Sequence, residues 1–192
     1  MLRWMARLYL RITGWTLLGS PPDLKKYVVV AAPHTSNWDA VYMLAMATIY
    51  GIRIHWAGKH TLFQFPLGWF MRWIGGLPVN RRSGRNTVQQ LADEFAKRDR
   101  LILAVAPEGT RERAEFWKSG FYFIACQAKV PLVLGVLNYE KKTGGLYHVI
   151  EPTGDIHVDM EKIRDFYTES IGKFPEKFGP VRLREEFADS KE

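Results

Sequence analysis

Two apolar runs, Tyr27-Val-Val-Val-Ala-Ala32 and Leu101-Ile-Leu-Ala-Val-Ala106, continue without a polar interruption until a proline stops each of them, Pro33 and Pro107. A strand with water on one face alternates apolar and polar residues, so a run that is apolar at every position belongs to a strand covered on both faces, the habit of parallel sheets. Val130 to Tyr139 reads as a third buried strand. Between and after these runs lie stretches of helical character: Asp39 to Tyr50, Ser119 to Lys129, Asp159 to Gly172, and Asn86 to Arg98, where Val88, Leu91, Ala92 and Phe95 recur at helical spacing. Trp73 to Val79, with Gly75-Gly76 and Pro78, reads as a loop holding a short strand, and Gly144-Gly145 as a turn into a strand from Leu146 to Ile150. Buried strands alternating with helices predict an α/β fold with a largely parallel or mixed central sheet flanked by helices. A chain of 192 residues suits a single domain. Its expected parts are an amphipathic helix over 1–20, a core over 27–140, and a C-terminal strand and helix over 141–192.

The formal net charge of +7 and a sequence pI near 9.5 favour partners that carry phosphate or an anionic membrane surface. The longest stretch free of Asp, Glu, Lys and Arg runs only from Ala40 to Ile52, short of the ~20 apolar residues that a spanning helix needs. Residues 1–20 do not read as a signal peptide, because Arg3, Arg7 and Arg11 interrupt any apolar region. On a helix these arginines share one sector, with Met5, Leu8, Tyr9, Ile12 and Trp15 on the opposite side. Two readings follow: a helix lying in the lipid headgroup region, or an ordinary surface helix packed on its own domain. Phe63 to Ile74 concentrates large apolar residues around a single charge, Arg72, and reads either as core or as a membrane-facing or acyl-binding surface. The lone Cys126 cannot form an internal disulfide and sits in an apolar run, which suits a buried small hydrophobe in a reducing compartment.

Three junctions carry candidate chemistry. Pro33-His34-Thr-Ser-Asn-Trp-Asp39 follows a strand and opens a helix, and functional groups concentrate at such strand ends. With His34 in the turn and Asp39 in the first helical turn, the carboxylate can accept from one ring nitrogen and leave the other as a base; the alternative is a turn histidine beside a helix-terminal aspartate. No G-x-S-x-G elbow is present, and Ser36 suits a helix cap. The second junction, Gly75 to Arg85, sets Arg81, Arg82 and Arg85 before a helix, either as a phosphate clamp or as a solvated surface. The third, Pro107-Glu108-Gly109-Thr110-Arg111, ends a strand with a carboxylate, a hydroxyl and a guanidinium. Neither a phosphate-binding G-x-x-x-x-G-K-[ST] loop nor a dinucleotide fingerprint occurs, and the scattered histidines lack metal-ligand spacing, so no metal site is argued. Nothing points to nucleic acid.

In order along the chain, His34-Thr-Ser-Asn-Trp-Asp39, Gly76-Leu-Pro-Val-Asn-Arg81, Pro107-Glu-Gly-Thr-Arg111 and Val130-Pro-Leu-Val-Leu-Gly135 resemble the four blocks of the glycerolipid acyltransferase family. Lys59-His-Thr-Leu-Phe63, Pro66-Leu-Gly-Trp69 and Trp117-Lys-Ser-Gly120 are similar to the text between those blocks. Ala106 and Leu134 depart from the family pattern, which commonly has Phe and Pro there. The resemblance implies a membrane-associated enzyme that moves a fatty acyl group from acyl-CoA or acyl carrier protein to a lysophospholipid hydroxyl, lysophosphatidic acid first, without a cofactor. It implies His34 as general base, Asp39 as its orienting partner, Arg81 with Arg82 or Arg85 on the acceptor phosphate, and Glu108, Gly109, Thr110 and Arg111 in acceptor binding. The expected place is the cytoplasmic face of a membrane, held peripherally. Transfer to another lysolipid, a non-catalytic lipid-binding module and an acyl-thioesterase are the competing readings.

Overall fold

A computed structural model of the chain describes residues 1–80 and 86–187. Seven strands form one sheet: β1 (Thr16–Gly19), β2 (Lys26–Ala31), β3 (Ile54–Lys59), β4 (Gly76–Val79), β5 (Leu101–Val105), β6 (Leu132–Asn138) and β7 (Thr143–Ile150), in the order β1-β7-β6-β2-β5-β3-β4. Neighbours run parallel except β6 and β7. The expected single α/β domain with a mixed sheet is therefore what forms.

The central strand β2 explains the unbroken apolar run. Tyr27 and Val29 face one side, packing with Ala47, Ile54, Ala104, Val133 and Leu146, beneath the helix α2 (Trp38–Tyr50). Val28 and Val30 face the other side, into the larger core under α4 (Thr87–Lys97), α5 (Gly120–Ala128) and α6 (Ile156–Tyr167), with Phe95, Phe121, Met160 and Tyr167 fully or almost fully buried. Tyr167 donates from this core to the backbone carbonyl of Val30 at 2.6 Å, beside that of Gly135 at 3.0 Å. The short helix α3 (Gly68–Trp73) precedes β4.

Three expectations are corrected. The N-terminal helix α1 covers Leu2–Thr13 rather than 1–20, because the chain turns at Gly14 and Thr16–Gly19 joins the sheet as β1. Gly144 and Gly145 are not a turn but lie inside β7, where a Cβ on Gly145 would stand 1.7 Å from the Leu18 carbonyl oxygen of the adjoining strand. That pair marks a close backbone approach, which in sequence looks the same as a turn. The last helix is Ile156–Tyr167, begun by Asp155, whose side chain accepts from the backbone N–H groups of His157 and Val158. Among the described residues no helix is long and apolar enough to cross a membrane.

The packing of α1 on its own domain is partial. Ala6 and Leu10 are buried, with Leu10 clustering with Trp15 and Met46 of α2, whereas Trp4, Met5, Leu8 and Ile12 remain exposed. At ~100° per residue this exposed stripe begins at Trp4, beside the sector of Arg3, Arg7 and Arg11, and runs round to Met5, so it adjoins the arginine stripe rather than standing wholly opposite it.

Candidate active site

The chain leaves β2 through a cis Ala32–Pro33 bond, and His34 follows in the turn before α2. Asp39, in the first turn of that helix, folds its carboxylate back over the turn: Oδ2 accepts the backbone N–H groups of Thr35 and Ser36, both at 2.9 Å, and meets His34 Nδ1 at 3.1 Å. An ionised carboxylate only accepts, so Nδ1 carries the ring proton and Nε2 is left with a lone pair. Oδ1 accepts the Tyr139 hydroxyl at 2.6 Å. Burial, and then this bond, push the Tyr139 phenol far above its ordinary 10.0. Ser36 Oγ accepts the Trp38 N–H at 3.2 Å in a local turn, but the N-cap position of α2 is Asn37, so the helix cap expected of Ser36 is corrected.

Glu108 closes the same turn from the β5 side. Gly109, with φ +66, donates its N–H to the Ala106 carbonyl at 3.1 Å and tightens the turn after β5. Glu108 is thereby buried, and its Oε1 accepts the His34 backbone N–H at 2.9 Å, while Oε2 has no partner among the described residues. Burial pushes this carboxyl up from 4.5 to about 7, against smaller lowering contributions from the His34 N–H and ring. Lys118 lies across Gly109, where a Cβ would come within 2.7 Å of its side chain, and its N–H donates to the Pro107 carbonyl at 2.7 Å.

His34, Asp39, Gly109 and Lys118 border a cavity of about 1000 Å³ over the carboxyl ends of β2, β5 and β6, at the upper end of the ~300–1,000 Å³ of small-molecule sites. His34 and Asp39 stand on its wall, Thr110, Arg111 and Lys118 supply its polar part, and Met43, Met46, Ala47, Tyr50 and Leu146 give it an apolar depth beneath α2. Ala40 and Leu44 line it and are also exposed, so it opens beside α2, next to exposed Trp38 and Val41. Of the aromatic segment from Phe63 to Ile74, Phe63 is buried, while Phe65, Leu67, Trp69 and Trp73 are largely exposed. The core reading therefore holds for Phe63 and not for the exposed residues of the segment.

The structure thus brings together His34, Asp39, Glu108, Gly109, Thr110 and Arg111. Arg81, Arg82 and Arg85 lie outside the described residues. Sequence reasoning missed Tyr139, for which no motif gave a signal, and Lys118, which was visible only inside Trp117-Lys-Ser-Gly120. It also missed the segment from Ile171 to Phe174, where Phe174 N–H donates to Thr35 Oγ1 at 3.2 Å and Gly172 packs against Thr35 and Pro33.

A family model described as Acyltransferase matches residues 18–134, more than half of the chain. The chain belongs to the acyltransferase family. It is 30% identical over 112 residues to a 1-acyl-sn-glycerol-3-phosphate acyltransferase of Streptococcus pneumoniae (strain ATCC BAA-255 / R6), a match that spans 58% of this chain and 42% of that relative. The chain therefore covers less than half the length of that curated relative. Its fold is similar to the crystal structure of the 1-acyl-sn-glycerophosphate (LPA) acyltransferase PlsC from Thermotoga maritima, with TM-score 0.58 and 16% identity over 84% of this chain and 73% of that one. The resemblance read from the four sequence blocks and the shared α/β architecture agree with both.

Proposed function

We propose that this acyltransferase-family chain moves a fatty acyl group from an acyl thioester to the free hydroxyl of a lysophospholipid, with lysophosphatidic acid as the first acceptor and phosphatidic acid as the product. The observation that carries the reading is a His34–Asp39 pair on the wall of a cavity that is polar at one end and apolar beneath α2. With Nδ1 committed to Asp39, His34 Nε2 takes the proton of the acceptor hydroxyl as its oxygen attacks the thioester carbonyl. The tetrahedral adduct collapses by expelling the thiolate, which takes the proton back from the imidazolium, so base and acid are one residue. Asp39 holds the ring and balances its transient charge. Neither Ser36, whose Oγ accepts the Trp38 N–H, nor Cys126 of α5 lines the cavity, which supports direct transfer without an acyl-enzyme.

Arg111 and Lys118 at the cavity and, on sequence grounds, Arg81 with Arg82 and Arg85 supply positive charge for the acceptor phosphate. Fixing that phosphate holds the hydroxyl beside the base and converts encounter into positioning. Coenzyme A and acyl carrier protein both suit a basic surface as donor, and no cofactor is called on. The exposed apolar stripe of α1 with its flanking arginines, and the exposed Phe65, Leu67, Trp69 and Trp73, support a peripheral seat on an anionic membrane at the cytoplasmic face, from which an acyl chain enters beside α2.

The test is thiol release from palmitoyl-CoA in detergent micelles, with and without lysophosphatidic acid, for the wild type and His34→Ala. Release that requires the acceptor and falls by about 10²–10⁴-fold in the variant is expected. Acceptor-independent release identifies a thioesterase. No release with palmitoyl-CoA, palmitoyl carrier protein or a panel of lysolipids leaves a lipid-binding module.

A further inference from the structure

Among the described residues the Asp39 carboxylate has a partner that belongs to none of the four sequence blocks. We propose that Tyr139 is a positioning residue for the transfer reaction, fixing Asp39 through Oδ1 so that Oδ2 addresses His34, and that Trp15 and Tyr42 form the aromatic frame that places its ring. The inference rests on the transferase reading of the pair.

Three observations carry it. First, the contact is short and singular: the Tyr139 hydroxyl lies 2.6 Å from Oδ1, on a carboxylate only 5% exposed, whereas the other bonds to Asp39 converge on Oδ2. A carboxylate gripped at one oxygen can still swing about its Cβ–Cγ bond, and a bond to the second oxygen removes that freedom. Second, Tyr139 cannot easily leave. It follows β6 directly, its N–H donates to the Ile171 carbonyl at 2.9 Å, and its ring stands edge-on to Trp15 at 4.9 Å and to Tyr42 at 6.0 Å, with Trp15 stacked on Tyr42 at 4.2 Å. Third, burial and Asp39 together keep the phenol protonated throughout the physiological range, so it serves only as a donor. It is no proton shuttle.

The frame also links the site to the N-terminal segment. Trp15 follows the turn that ends α1, and Tyr9 of α1 packs on Tyr42 at 5.5 Å. The docking of α1 on α2 therefore sets the wall against which Tyr139 stands.

The experiment compares the wild type, Tyr139→Phe, Asp39→Asn, the double variant and His34→Ala in acyl transfer, with thermal melting to check folding. Tyr139→Phe keeps the ring and removes only the donor. We expect kcat to fall about ten-fold, the size of one charge-assisted hydrogen bond, with both KM values within about two-fold of wild type. The acid limb of the kcat/KM profile should move to higher pH, because a carboxylate relieved of the phenol proton holds the imidazolium more tightly. Among the described residues the titratable and charged groups about the pair are Glu108 from the β5 turn, Tyr42 from α2 and Tyr9 from α1, with Arg111 and Lys118 on the same cavity; all are left in place. In the Asp39→Asn background, followed under single-turnover conditions with enzyme in excess, the same change should cost less than about two-fold, since its route runs through Asp39. A lowered melting temperature with unchanged kcat and acid limb, or an equal loss in both backgrounds, overturns the positioning role while a dead His34→Ala leaves the transferase reading standing. Full turnover in His34→Ala overturns both.

Discussion

Replacing Glu108 by Gln should separate what the site costs the fold from what it gives the reaction. Glu108 is 3% exposed, with one carboxylate oxygen bonded to the His34 N–H and the other without a partner among the described residues. Its carboxyl stands at about 7 in the fold against an ordinary 4.5. Between those values the folded chain keeps a proton that the unfolded chain has released, so its contribution to stability is fully present below about pH 4.5 and is lost as pH rises through about 7. At ~1.4 kcal/mol per unit the loss approaches about 3 kcal/mol, or about 6–12 °C in Tm for a chain of this size. An amide keeps the acceptor for the His34 N–H and carries no charge at any pH. Thermal melts of the wild type and Glu108→Gln from pH 5 to pH 8 should diverge, the variant gaining on the wild type as pH rises. The difference between the two chains is the quantity to read. His55 slopes the opposite way in both: burial, then the Arg98 and Arg53 charges, lower its imidazole, so its contribution is present above about 6.5 and is lost on acidification. A variant-minus-wild-type difference that stays flat from pH 5 to pH 8 would refute the claim that burial of Glu108 is held at a cost. Acyl transfer by the variant should fall at every pH, since a carboxyl kept at such expense has a use beyond stability.

Gly145→Ala should lower stability by about 3–5 kcal/mol, because its Cβ meets the Leu18 carbonyl of β1 and no side chain can move to relieve it; an unchanged melting temperature contradicts the pairing of β1 with β7. The pair Trp4→Asp and Ile12→Asp, at positions 66% and 74% exposed, should abolish flotation with anionic vesicles and leave melting within about 1 °C; retained flotation removes α1 from the membrane contact. Deleting 1–20 is the wrong tool for that question, since Trp15 and β1 go with α1. Ala47→Leu, which fills the cavity beneath α2, should shift the ratio of kcat/KM for palmitoyl over decanoyl donors by about ten-fold toward the shorter chain; an unchanged ratio places the acyl chain elsewhere.

What was legible in the sequence was whatever left a local periodic signal. The runs at Tyr27 and Leu101 gave buried strands with near-correct ends because double-sided burial demands apolar residues at every position. Strand β3, Ile54-His-Trp-Ala-Gly-Lys59, left no such signal: it lies near the sheet edge and mixes buried and exposed positions. Strand β1 was hidden in the same way, as four residues, mostly exposed, paired on one side only. The His34–Asp39 contact was foreseeable because the five-residue step spans a turn and a helix start, and the chain can close it locally. Glu108 was placed by a block of residues, but its bond to the His34 backbone needed β2 and β5 side by side, which no local pattern states.

The stretch that matches the acyltransferase family, residues 18–134, contains His34, Asp39, Glu108, Arg111 and Lys118, and it stops short of the groups that hold them. Trp15 precedes it; Tyr139, Ile171, Gly172 and Phe174 follow it. From one side the aromatic frame presses Tyr139 onto Asp39, and from the other the segment around Gly172 packs on Thr35, whose N–H is one of the donors to the same carboxylate. The chemistry of the turn is thus local and its rigidity is not. In the proposed transfer, a carboxylate that presents one oxygen to an imidazole needs its other bonds fixed by packing, and those bonds come from both flanks of the core. A chain cut to the matched stretch would keep the proposed reacting groups and lose the Tyr139 donor, the Thr35 clamp and the ring wall together. Such a chain also loses β7, α6 and most of β6, with the core residues Met160, Ile163 and Tyr167, so only the point variants at His34 and Tyr139 can tell the frame from the chemistry.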